Sequence, residues 1–134
     1  MLHGFENETK DLTEDELSLV PLLVGTLKYK VGVKNAITNK LLIRFLAAYT
    51  GENGKPINIS EARIRKIINH IRMHDMIPGL LASSKGYYVS NDPKEIEGYI
   101  QSLKGRENAI KGIRVRTQMY LNTMLNSQSQ LNLV

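Results

Sequence analysis

Four isoleucines, Ile64, Ile67, Ile68 and Ile71, recur at three- and four-residue intervals just after Ser60, and no other segment constrains the fold as tightly. At about 100° per residue they fall within one stripe about 100° wide, so a helix here must bury a whole side against a hydrophobic core. Ser60 supplies the side-chain oxygen that caps such a helix. The element is predicted to end between Met73 and Asp75, ahead of the helix-breaking Pro78-Gly79. The opposite stripe carries Ala62, Arg65, Lys66, Asn69 and Met73, with Arg63, His70 and Arg72 flanking it.

The elements around this helix follow from local chemistry. Thr13-Glu14-Asp15-Glu16 reads as a capping box, with Leu12 and Leu17 at the staple positions. It predicts a first helix from Glu14 to about Tyr29, with a kink or restart near Val20 because Pro21 removes a backbone donor. Gly32 ends it. Thr38-Asn39-Lys40 offers a second cap, and Leu41, Leu42, Phe45, Leu46 and Tyr49 form an amphipathic stripe that predicts a buried helix. Gly51 to Pro56 is the strongest turn signal, with Gly51 suited to the helix end. After Pro78-Gly79, Leu80-Leu81-Ala82 and Tyr87-Tyr88-Val89 are β-prone runs separated by Ser83-Ser84-Lys85-Gly86, which reads as a hairpin with a polar, basic tip. Asp92-Pro93 then caps a fourth helix that can run to about Asn126.

Charge narrows the function. The chain has 134 residues and a formal net charge of +5, and the excess is concentrated in its middle. Residues 33 to 90 carry nine Lys and Arg against Glu52, Glu61 and Asp75, whereas residues 1 to 32 are net acidic. A basic segment of this kind suits a polyanionic partner. The absence of cysteine excludes disulfides, thiolate zinc sites and cysteine nucleophiles. Neither a signal peptide nor a membrane span is expected, and the composition fits a cytoplasmic protein.

Helix, helix, turn, helix, hairpin, helix is the element order of a winged helix domain, giving a mainly α fold with a small β-hairpin (α+β) and a long C-terminal helix. The segment from about Leu41 to Val89 resembles winged helix-turn-helix DNA-binding domains. The run Ile59 to Arg72 followed by Gly86-Tyr87-Tyr88-Val89 looks like short phage- or prophage-encoded members. The resemblance implies a recognition helix at 60 to 73, a wing near Ser84 and Lys85 that meets phosphates, and a role in transcription control or DNA replication. The expected double-stranded DNA contacts are Ala62, Arg63, Arg65, Lys66, Asn69, His70, Arg72, Ser84 and Lys85. The alternative is a winged-helix protein–protein adaptor that meets an acidic partner without binding DNA.

Other signals are weak. Gly51-x-x-Gly54-Lys55 has too few residues between its glycines for a phosphate loop, and Pro56 follows it. His70 and His74 are four apart, yet two ligands do not make a metal site. No catalytic motif occurs, so neither an enzyme nor a cofactor is expected. Residues 1–12 are expected to form a flexible N-terminus, 13–104 the winged helix domain, 105–126 a helical extension and 127–134 a disordered tail. Ile96, Ile100 and Leu103 are expected to pack on the domain, and Gly105 is the hinge if the fourth helix divides. A helix from Pro93 to Asn126 would be about 50 Å long, and its stripe of Ile110, Ile113, Thr117, Leu121 and Met124 suggests a homodimer contact, a fold back onto the domain or an extension along DNA.

Overall fold

The computed structural model describes residues 10–49 and 54–132. Helix α1 spans Glu14–Leu27, a 3-10 turn spans Val33–Asn35, and α2 spans Asn39–Leu46. Helix α3 spans Glu61–Met73, β1 Leu80–Ser83, β2 Gly86–Val89 and α4 Pro93–Asn132. The protein is thus mainly helical, with one small antiparallel sheet and a long C-terminal helix. The described residues up to Ile96 form one compact unit, and those from Glu97 onward form a second. The turn residues Gly51, Glu52 and Asn53 lie outside the described residues, as do residues 1–9 of the expected N-terminal segment.

Four helix starts carry the expected caps. Thr13 accepts from the Glu16 amide at 3.2 Å while the Glu16 carboxylate accepts from the Thr13 amide at 2.8 Å, completing the box. Thr38 accepts from Leu41 and Ser60 from Arg63. Asp92 Oδ1 accepts from the Lys94 amide at 3.0 Å ahead of α4. Pro21 lies within α1 without dividing it, contrary to the expected restart. Pro21 and Leu17 are exposed, so water can reach the Leu17 carbonyl that proline leaves without its intrahelical donor. Tyr29 falls beyond the helix end at Leu27.

The core is built from α1, α2 and α3. Leu23, Leu27, Leu42, Leu46 and the four isoleucines of α3 are all less than 2% exposed. Each buried aliphatic side chain of this kind contributes about 1.5–3 kcal/mol. On α2 the buried stripe is narrower than expected, because Leu41 remains exposed and Tyr49 falls beyond the helix end at Leu46. An eight-residue helix packed along one line covers only the side that carries Leu42 and Leu46.

The hairpin pairs Leu80 with Val89 and Ser83 with Gly86, leaving Ser84-Lys85 as a two-residue tip. A hairpin alone is marginal in water, and here β2 has a second neighbour that the sequence pattern does not announce. The Gly32 amide donates to Val89 O, Val89 N to Lys30 O, and Ile37 and Tyr87 exchange bonds of 3.0 and 2.8 Å. The segment after α1 therefore borders β2 and bulges outward through the 3-10 turn between its two contacts. Gly86 makes this approach feasible. Its φ is +118°, and a Cβ there would run into the Ile37 carbonyl oxygen.

Helix α3 ends by the hydrogen bonding of a Schellman motif, with Asp75 N donating to Arg72 O and Met76 N to Ile71 O. Asp75 takes the left-handed position at φ +52°. Helix α4 continues undivided through Gly98, Gly105 and Gly112, and it runs on from Ser127 to Asn132 where a disordered tail was expected. Each glycine costs about 1 kcal/mol relative to alanine, but the glutamines, lysines and arginines between them favour helix. Within α4, Ile100 and Leu103 are exposed.

Candidate nucleic-acid interface

Helix α3 separates its two faces as its periodicity demands. Opposite the isoleucines, Arg65, Asn69 and Met73 are exposed, and Ala62, Lys66, His70 and Arg72 are half-buried. These residues share one side of a 13-residue helix, a cylinder of about 10–12 Å diameter that fits a B-DNA major groove about 12 Å wide. The stripe offers cations for phosphate or guanine, an amide suited to adenine, and Ala62 where a larger side chain would hold the helix away.

Arg63 does not belong to this surface, which corrects its expected role. It is 8% exposed. Its Nε donates to Glu16 Oε2 at 2.8 Å and its Nη2 to Oε1 at 2.6 Å. The guanidinium also donates to the carbonyls of Lys10 and Asp11 at 2.7 and 2.9 Å. Hydrogen bonding from Arg63 holds the Glu16 carboxyl below its ordinary range against the opposing effect of burial, and the carboxylate in turn raises the arginine. Glu16 thus serves the capping box of α1 and the charge on α3 together. Nothing local in the sequence signals a pair separated by 47 positions.

His70 sits at the edge of the stripe beside His74. Their ring centroids are 4.2 Å apart, and His74 Nδ1 lies 2.8 Å from the His70 carbonyl. Among the described residues, no group of three or more His, Cys, Asp or Glu side chains is placed to hold a metal ion.

At the hairpin tip Ser84 and Lys85 are both exposed. Ser83 Oγ accepts from the Lys85 amide at 3.2 Å and donates to Gly86 O at 3.0 Å, which locks the turn. Because Gly86 abuts Ile37 and the Thr38 amide, the base of the tip lies against the start of α2. Lys40 is exposed in the first turn of that helix, a basic residue that sequence reasoning did not single out. The cap of α2 was readable, but the bridge between Ile37 and Tyr87 was not.

Tyr87 links these parts electrostatically. Burial raises its hydroxyl above the ordinary range, while hydrogen bonding with Asn39 and the charges of Arg65 and Arg72 oppose the rise and Glu61 adds to it. Toward the end of α3 the surface opens into a cleft of about 500 Å³ lined by Asn69, Arg72, Met73, Asp75 and residues 77–80. No family model, curated protein or solved structure matches the chain.

Proposed function

We propose that this protein binds double-stranded DNA as a winged helix-turn-helix, with α3 in the major groove and the Ser84-Lys85 tip against the phosphate backbone. The observation that carries the reading is the division of α3 into a fully buried isoleucine side and an opposite side bearing exposed Arg65 and Asn69 with half-buried Lys66. The segment after α1 supports it by bordering β2 and bracing the hairpin that carries the Ser84-Lys85 tip. Such an activity serves transcription control or DNA replication, and phage or prophage members of this class do both.

Arg65 and Lys66 differ in kind from Asn69, and the test uses that difference. Binding to duplex DNA is measured by fluorescence anisotropy across a salt series, on random sequence and on a selected site. Arg65→Ala, Lys66→Ala and Lys85→Ala should each lower the slope of log affinity against log salt by about 0.9 for each phosphate that is no longer neutralised. Asn69→Ala should cost about 1–3 kcal/mol on the selected site and little on random DNA. If all four variants bind as the parent does, the stripe does not face DNA and the adaptor reading takes its place.

A further inference from the structure

We infer that Leu103 to Leu131 of α4 forms one strand of a parallel two-stranded coiled coil between two copies of this chain. Leu103, Ile110, Thr117, Met124 and Leu131 recur at intervals of seven, and three residues after the first four stand Arg106, Ile113, Tyr120 and Ser127. A seven-residue period over this length keeps one seam against a partner helix when the two helices supercoil left-handedly. In the described chain the seam is uncovered. Ile110 is 67%, Ile113 68%, Tyr120 67% and Leu131 75% exposed.

Length identifies the occupant. From Leu103 to Leu131 the seam extends about 42 Å at 1.5 Å per residue. Helices α1, α2 and α3 have 14, 8 and 13 residues, so none can cover it. A second α4 has the same length and the same period. Nine seam side chains, at about 60–120 Å² each, cover on the order of 700 Å² per helix. That is close to the roughly 800 Å² per partner of a standard stable interface.

Charge selects the orientation. Arg106 is the one charged residue in the seam, and Glu107 is the last acidic residue in the chain. In a parallel, in-register pair, each Arg106 neighbours Glu107 of the second copy. In an antiparallel pair that overlaps along the seam, Arg106 faces the residues near 128, among which no Asp or Glu stands. Lys104, Lys111, Arg114 and Arg116 stay outside the seam, where their charges remain in water.

This inference does not rest on DNA binding, and its test uses the full chain without DNA. Sedimentation equilibrium from one to several hundred micromolar should give a monomer–dimer mass distribution. Because the chain has no cysteine, Met124→Cys introduces a single thiol, which mild oxidation should join almost completely into a disulfide-linked dimer. Ile110→Asp combined with Ile113→Asp should weaken association at least a hundredfold while leaving the thermal transition of the compact unit unchanged. A monomeric or trimeric mass throughout would overturn the proposal. So would a dimer whose Met124→Cys form does not cross-link, since antiparallel helices hold those positions far apart.

Discussion

Arg63 is held by both oxygens of Glu16 and by two main-chain carbonyls, and that arrangement determines what its removal would do. A buried pair contributes little net stability compared with well-packed apolar residues, but removing one partner leaves the other charge stranded. Arg63→Ala should therefore destabilise the compact unit by about 3–5 kcal/mol, read by urea unfolding. The pair also predicts a pH dependence. Because the folded state holds the Glu16 carboxyl below its ordinary value of 4.5, its contribution is fully present above that value and is lost as pH falls through the folded one. Glu16→Gln keeps a side chain able to cap but removes the charge. Between about pH 5 and pH 3, the parent should lose more stability than Glu16→Gln, and equal losses would show that Glu16 does not carry the acid dependence.

Elements whose signals are local were legible in the sequence. Thr13, Thr38, Ser60 and Asp92 act on amides two or three residues away, so a few adjacent letters suffice to place each helix start. The isoleucine stripe of α3 likewise separates core from exposed surface by period alone. What stayed hidden depends on distant partners. The chain from Lys30 to Ile37 has no strand-like alternation, because it touches β2 only at its ends and bulges between them. Arg63 resembled a further basic residue of the stripe until Glu16 was placed beside it, and the Ser/Gln/Asn composition after Asn126 suggested disorder where α4 continues. The hidden contact is also where the hairpin is most sensitive. Gly86→Ala places a methyl group against the Ile37 carbonyl and forces alanine into a left-handed backbone region. A cost of about 1–3 kcal/mol is expected, with faster hydrogen exchange at the Ile37 and Tyr87 amides than at the α3 amides. Unchanged exchange at both would mean that this edge contact does not hold the hairpin.

At the scale of the whole molecule, two kinds of stability are joined in one chain. The unit up to Ile96 has its own buried core, so its unfolding should be cooperative and independent of concentration. From Glu97 to Asn132 the chain is a single helix containing Gly98, Gly105 and Gly112, with no core of its own. A lone helix of this kind is marginal, because little beyond its own hydrogen bonds opposes the loss of chain entropy. If the pairing inferred for it supplies its helicity, association couples its stability to protein concentration. Circular dichroism at 222 nm should therefore show two thermal transitions. The one belonging to the C-terminal helix should rise by several degrees for each tenfold increase in concentration, since that increase is worth about 1.4 kcal/mol to a bimolecular equilibrium. The transition of the compact unit should stay fixed. Ile110→Asp with Ile113→Asp should remove the moving transition and lower helicity at all concentrations. If instead both transitions are independent of concentration and the double variant retains full helicity, the helix is stable by itself and the pairing inferred for it is wrong.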